Sequence, residues 1–507
     1  MNVDFSLMDE AQSFVLPPLL QTINLILTFA IFVFILFLIQ TKNCAQLNKK
    51  TLSTLNVILI VSLSFLTLKN IFLIQKNFLK ANPPKEITKL ESVFHFSKNK
   101  KNVLVVMPDR SVSSMFSFAL EEKPEFKKSY DGFVYFPNTI SFSHYTTLGA
   151  PPLFGGYDFT PWEINLRTEL SIRDKHNQSL LTMPKIFSEN NFNVTVTNMP
   201  YENYNEQPVE KIYDGIKNFS RVKTQGAYSE FWCREHNIEL PAQISFLLKK
   251  NILYFSIFKM CNPLFRVVPY EVGYRLTGNP YKDFSYLIDT YAPLDLLLEL
   301  CDFSASENTF TVFDTELTHA SGFLQVPNYE PAVSPTDIGS RKLSNNPNYH
   351  MLMAFLSRFE EFILYLKQNN CYDNMRIIIA SDHGNGFESG KFDNTPCIPS
   401  MQKESVQAFL LVKDFGEHGE LKTDMTFMTN ADVPYLSTKD LILDAKNPFT
   451  GNPLKVLNKN DYAKISCAKM QSLRTRDDKA FTIPNDEWFA VYDNIFITEN
   501  WSRIFEK

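Results

Sequence analysis

The chain has 507 residues, more than one typical hydrophobic core accommodates, so two or three structural units are expected. A net charge of −5 and a pI near 6.0 give no electrostatic reason to expect nucleic acid as a partner. Seven cysteines occur without any Cys-x-x-Cys spacing, which argues against a zinc ribbon or a thioredoxin-type site. The six that follow Cys44 (Cys233, Cys261, Cys301, Cys371, Cys397 and Cys467) fit either disulfides or free core thiols.

Residues 11–41 contain no charged side chain, and Leu25–Ile39 is almost wholly apolar, a length that spans a bilayer. A second uncharged stretch runs from Thr51 to Leu68 and continues past Lys69 to Ile74. Lys69 would cost about 2.5–3.5 kcal/mol at the bilayer centre but can snorkel near a helix end. The expectation is a membrane anchor over residues 1–80 with two transmembrane helices, at about 19–40 and 54–75. A cleavable signal peptide fits poorly, because Asp4, Asp9 and Glu10 lead the chain and the first lysine is Lys42. The acidic start and Lys42, Lys49 and Lys50 favour an outside amino terminus, whereas Lys69, Lys76, Lys80 and Lys85 argue the other way. Asn82-Pro83-Pro84 marks residues 81–99 as a linker.

From residue 100 onward short apolar strands alternate with amphipathic helices. Strands are expected at Asn102–Val106, Asn193–Thr197, Thr309–Phe313, Arg376–Ala380 and Ala408–Val412. Between the third and fourth, Met351, Phe355, Phe359, Phe362, Ile363 and Leu366 recur at helical spacing. Such alternation predicts an α/β fold, a mostly parallel central sheet flanked by helices on both faces. The catalytic domain is expected over residues 100–450, with 451–507 as an extension packed on it. Residues 207–307 carry no clear period and read as an insertion.

In a parallel sheet, ligands gather just past the carboxyl ends of the strands. The first strand ends in Met107-Pro108-Asp109-Arg110, the third in Asp314-Thr315-Glu316-Leu317-Thr318-His319, and the fourth in Ser381-Asp382-His383-Gly384. Three strands aiming carboxylates and imidazoles at one edge suit a metal pocket. Residues 144–156, His-Tyr-Thr-Thr-Leu-Gly-Ala-Pro-Pro-Leu-Phe-Gly-Gly, form a turn rich in small residues with two hydroxyls, Thr146 and Thr147. A threonine is a poor nucleophile unless a base or a metal lowers its pKa; helix capping is its commoner role.

These motifs resemble the alkaline phosphatase/sulfatase superfamily over roughly residues 100–450. Within it they are most similar to the membrane-anchored lipoteichoic acid synthases, phosphoglycerol transferases and phosphoethanolamine transferases. Asp109 falls where the family has its first metal ligand, and Ser381-Asp382-His383-Gly384 matches its second ligand pair. Thr146, ahead of Pro151, is similar to the transferases' nucleophile, and His319 to a substrate-binding histidine. Asn430-Ala431-Asp432-Val433-Pro434 resembles a structural segment found late in such domains. The Cys/Ser-x-Pro-x-Arg signature of formylglycine sulfatases is absent. The later histidine of phosphoethanolamine transferases is also missing, leaving Lys391, Glu388 or Asp393 as substitutes.

The resemblance implies a divalent metal, zinc or manganese, held by Asp109, Thr146, Asp382 and His383, with His319 and Lys391 binding substrate. It implies a membrane-anchored transferase that moves phosphoglycerol or phosphoethanolamine from a phospholipid donor to a surface glycan or lipid acceptor through a phospho-threonine. The alternative on the same site is a phosphodiesterase, phosphatase or sulfatase-like hydrolase. The implied place is the cell (inner) membrane, with the catalytic domain on the extracytoplasmic side.

Overall fold

A computed structural model describes isolated positions between 22 and 72, residue 87, and residues 89–205, 209–238, 282–387, 389–390, 392, 402–457, 461–468 and 478–505. The chain divides into two units, Met1–Thr88 with Glu239–Lys282, and Lys89–Ile238 with Asp283–Lys507. In the first unit the described positions between 22 and 72 are helical, and Ile23, Ile26, Phe29, Val61 and Phe65 are exposed. No helix among the described residues is long and apolar enough to cross a membrane. The two spans expected at about 19–40 and 54–75 fall mostly outside the described residues.

The second unit is built on an eight-stranded sheet. In chain order its strands are β1 (Asn102–Pro108), β2 (Phe133–Tyr135), β3 (Asn193–Val196), β4 (Phe219–Arg221), β5 (Thr309–Thr315), β6 (Met375–Ala380), β7 (Leu410–Lys413) and β8 (Lys422–Thr423). Across the sheet they lie in the order β8-β2-β7-β6-β1-β5-β3-β4. Only β7 runs against the rest, pairing antiparallel with both β6 and β2. The mostly parallel α/β fold expected from the alternation is therefore present.

The two faces of β1 explain its unbroken apolar run. Val103, Val105 and Met107 join one core cluster with Ala150 and Leu153 of α1 (Thr146–Gly155) and with Leu180, Met183 and Phe187 of α2 (Ile172–Glu189). Leu104 and Val106 point the other way, toward Phe359 and Phe362 of α3 (Pro347–Gln368). Successive side chains of a strand alternate faces, so a strand covered on both sides has no polar positions to offer. Helix α3 opens at Asn346, whose side chain accepts from the Asn348 and Tyr349 amides, with Pro347 at the first position.

Arg376 at the head of β6 is buried, and its guanidinium is fully engaged. It donates to Asp414 at 2.9 Å and to the carbonyls of Leu436, Ser437 and Lys439, closing the end of the helix Val433–Thr438. Beyond residue 450, β9 (Ala463–Ser466), β10 (Trp488–Val491) and β11 (Trp501–Arg503) form an antiparallel sheet. Its Ile465, Phe489 and Trp501 share a cluster with Ile140, Phe142 and Ala431. Cys233, Cys301, Cys371 and Cys467 are buried free thiols; Cys44, Cys261 and Cys397 lie outside the described residues.

Candidate active site

The register of β1 against β5 and β6 brings three strand ends to one edge. Met107 pairs with Asp314, and Val106 with Ile379, so Asp109, Glu316 and Asp382 emerge side by side. Asp109 is held through its backbone: its amide donates to the Thr315 carbonyl at 3.0 Å, and its carbonyl accepts from Thr318 Oγ1 at 2.5 Å. The chain then turns at Arg110, whose φ of 61° lies in the left-handed region. That turn points the Arg110 amide at Asp382 Oδ1, 3.0 Å away, where the His383 amide also donates at 2.8 Å. The Asp382 carbonyl accepts from Asn430 Nδ2 at 2.9 Å and from the Ser141 hydroxyl.

His383 shows which way the site faces. Its Nδ1 lies 2.6 Å from the Gly384 carbonyl, an acceptor only, so Nδ1 carries a proton. In the neutral ring this leaves the Nε2 lone pair facing Asp382 Oδ2 at 3.4 Å and Asp109 Oδ1 at 4.0 Å. Both of those carboxylate oxygens are buried without a hydrogen-bond partner among the described residues. Two buried carboxylate oxygens without a partner, converging on an imidazole lone pair, make a poor resting arrangement without a cation between them. Their ligand atoms lie within 4.8 Å of one another, and the oxygen/oxygen/nitrogen set suits a divalent ion. Burial and the carboxylates of Asp382, Glu316 and Asp314 push the Asp109 carboxyl well above its ordinary range. Asp314 is pushed the same way by burial, Glu316, Asp382 and Glu202.

Thr146 is the first residue of α1, after an extended Tyr145 at the cap position. Its Oγ1 stands 3.3 Å from His383 Nε2, whereas the Thr147 hydroxyl is buried with no partner among the described residues. Neither threonine acts as the helix cap. Gly149, one turn on, sits so close that a Cβ there would lie 2.6 Å from the Asp382 carbonyl oxygen. A cavity of about 360 Å3 opens over this group, lined among others by Arg110, His144, Thr146, Tyr201, His319 and His383. Burial, with His383 nearby, lowers His144 to about 4, and burial with the Arg110 charge lowers His319. Lys391, Glu388 and Asp393 lie outside the described residues.

The family model described as Sulfatase matches residues 101–433. The chain belongs to the sulfatase family. It is thus a sulfatase-like enzyme, of a family that depends on a divalent metal. Among solved structures, it is similar to a protein in the alkaline phosphatase superfamily from Vibrio parahaemolyticus, at 13% identity and a TM-score of 0.41, over 82% of this chain and 84% of that one. The phosphonate monoester hydrolase SpPMH from Silicibacter pomeroyi is 11% identical with a TM-score of 0.43, over 73% and 80%. The lipoteichoic acid synthase LtaP from Listeria monocytogenes is 11% identical with a TM-score of 0.36, over 78% and 86%. No curated protein matches the chain.

Of the residues singled out from sequence, Asp109, Thr146, Asp382 and His383 meet at one point, and His319 lines the cavity over them. Asn430, read as part of a structural segment, ties the site together: its amide reaches both the Asp382 and the Gly149 carbonyls. Arg110, His144, Tyr201 and Asn385 also line the cavity and lie outside the ligand and substrate set that the resemblance implies. A basic residue directly after a candidate ligand was the available signal for Arg110. No local pattern marks Tyr201, which comes from a separate loop.

Proposed function

We propose that this enzyme is a metal-dependent transferase that moves phosphoglycerol or phosphoethanolamine from a phospholipid to a surface glycan or lipid through a phospho-threonine. The observation that carries the reading is the Thr146 hydroxyl 3.3 Å from His383 Nε2, beside the unpartnered oxygens of Asp109 and Asp382. Asp109, Asp382, His383 and Thr146 would hold zinc or manganese, which when bound offsets the carboxylate charge and lowers the pKa of a coordinated hydroxyl. Thr146 Oγ1 attacks phosphorus, the phosphorus–oxygen bond to the diacylglycerol breaks, and the departing oxygen takes up a proton. The amino-terminal end of α1, which no side chain caps, favours the phosphate's negative charge, and His319 donates to a phosphoryl oxygen. An acceptor hydroxyl then attacks the phospho-threonine and restores Thr146.

The uncharged amino-terminal stretches support attachment to a membrane, where tethering raises the effective concentration of a lipid donor to the order of millimolar. Donor lipid and surface acceptor together favour an extracytoplasmic catalytic unit. The family match supports one rival, hydrolysis on the same site with water as the acceptor. Mass spectrometry of the protein after brief incubation with phospholipid tests the common first step. A head-group phosphate on the peptide containing Thr146 is expected, and its absence in metal-loaded protein would overturn the proposal. Product analysis with and without glycan separates transferase from hydrolase.

A further inference from the structure

We propose that Arg110 is a substrate-binding residue that receives the anionic oxygens of the phosphoryl group from the wall of the cavity over Thr146, selecting phosphate esters by a guanidinium fork. This rests on the reading of the site as a phosphoryl-transfer centre. The first support is placement: Arg110 lines the cavity together with Thr146, His383 and His319. Its backbone is pinned by the amide bond to Asp382 Oδ1 at 3.0 Å, so the residue is registered against a metal-ligand candidate.

The second support is the state of its side chain. One arm, Nη2, donates to Asn385 Oδ1 at 2.9 Å, which fixes the plane of the guanidinium. Among the described residues no side chain engages Nε or Nη1, and no carboxylate pairs with the group as an ion pair, so its charge is not consumed by the protein. Elsewhere in the unit the buried arginine Arg376 shows the contrast, with its donors spent on Asp414 and three carbonyls. A planar fork held at one arm and open at the others is suited to two oxygens of a tetrahedral anion.

Electrostatics point the same way. The carboxylates of Asp109 and Asp382 lie behind the cavity and would be offset by the cation they hold. The imidazoles of His144 and His319 also face the cavity. Among the described residues lining this wall, Arg110 is the permanent positive charge, since arginine does not deprotonate in proteins. The backbone adds an independent sign. At φ 61° glycine or asparagine is the default, and an arginine there is strained for the sake of where its side chain goes.

The strain supplies a clean experiment, because Arg110→Gly relaxes the backbone while deleting the fork. Inorganic phosphate is titrated calorimetrically into the full-length, manganese-loaded protein, wild type and variant, with melting temperature and metal content measured in parallel. Arg110→Gly and Arg110→Gln should keep the metal and the melting temperature, yet bind phosphate about 10- to 100-fold more weakly. Arg110→Lys should recover only part of the loss, because a point charge does not replace a fork. With bis(p-nitrophenyl) phosphate as substrate, KM should rise more than kcat falls. Unchanged phosphate affinity and KM in Arg110→Gly, or a wild type that binds no phosphate, would overturn the inference. Its failure is separable from that of the transferase reading. A phospho-adduct on Thr146 with Arg110 variants binding phosphate normally sinks only the role of Arg110. Weakened phosphate binding in the variants with no adduct on Thr146 sinks only the covalent mechanism.

Discussion

Replacing Gly149 by alanine is a severe test of the site because the added methyl group meets backbone, not side chain. Helix propensity alone would favour alanine inside α1 by about 1 kcal/mol. The Cβ, however, would lie 2.6 Å from the Asp382 carbonyl oxygen and 3.1 Å from Ser141 Oγ, the former closer than real Cβ atoms come. That carbonyl is clamped by Asn430 and Ser141, so the strand end and α1 must part, carrying the Asp382 carboxylate away from Asp109 and His383. Overpacking of this kind costs about 1–3 kcal/mol, and a binding constellation tolerates only about 0.5 Å of displacement. Metal affinity should fall about 10- to 100-fold, as when the support of a ligand is disturbed. The control is Gly155→Ala, whose Cβ would meet the buried ring of Phe159 at 2.2 Å, at the far end of the same helix. Both variants should lose stability in thermal melts, but only Gly149→Ala should lose zinc or manganese affinity by calorimetry. Equal metal affinity in the two would refute the argument that the contact between α1 and Asp382 sets the site.

The two hydroxyls at the start of α1 should separate sharply. Thr146→Ala should lower turnover by several orders of magnitude with metal content nearly intact, whereas Thr147→Ala should cost about tenfold or less, read as kcat on a chromogenic diester. Burial raises Asp432 to about 6 against an ordinary 3.8, so folding takes up a proton there. The stability this carboxyl contributes is full below its unfolded pKa and is lost as pH rises through about 6, so chemical denaturation at pH 4.5 and 7 should show a loss that Asp432→Asn reduces. A reporter fused after Lys507 should be active only if it is of the extracytoplasmic type; activity of a cytoplasmic-type reporter alone would invert the proposed topology.

What sequence could reveal followed from burial. β1, β5 and β6 lie centrally and are buried along their whole length, so each reads as a largely apolar or small-residue stretch without a polar face, and their ends carry the candidate ligands. The short outlying strands Phe133–Tyr135, Phe219–Arg221 and Lys422–Thr423 have too few residues to show a period of two, and the reversed direction of β7 is a property of its connections. Asp382 and His383 were legible because they are adjacent at a strand end. Arg110 is marked in the sequence only by its place directly after a candidate ligand; the backbone angle at which the chain turns there is announced by no neighbouring residue. Asn430 and Ser141 act on the Asp382 carbonyl from distant parts of the chain, a relation that exists only after folding.

The clustering of acids yields a last expectation about metal and protons. Without a cation, Asp109 and Asp314 retain protons well above the ordinary carboxylate range, because burial and the neighbouring acids oppose another negative charge. Their folded pKa values exceed the unfolded ones. The metal-free protein therefore draws stability from them at low pH and loses it as pH rises toward the raised values. A cation between Asp109, Asp382 and His383 reverses that loss, since it binds the ionised carboxylate and displaces the proton. Binding should accordingly release on the order of one proton per ion, and affinity should rise with pH. Calorimetry of manganese binding in two buffers of different ionisation heat counts the proton directly. The gap in melting temperature between loaded and EDTA-treated protein should widen in the same direction, by the linkage between ligand and folding. Proton-free binding with an affinity indifferent to pH would mean that the ion sits away from Asp109. The convergence of the two orphaned oxygens and His383 Nε2 would then need another explanation.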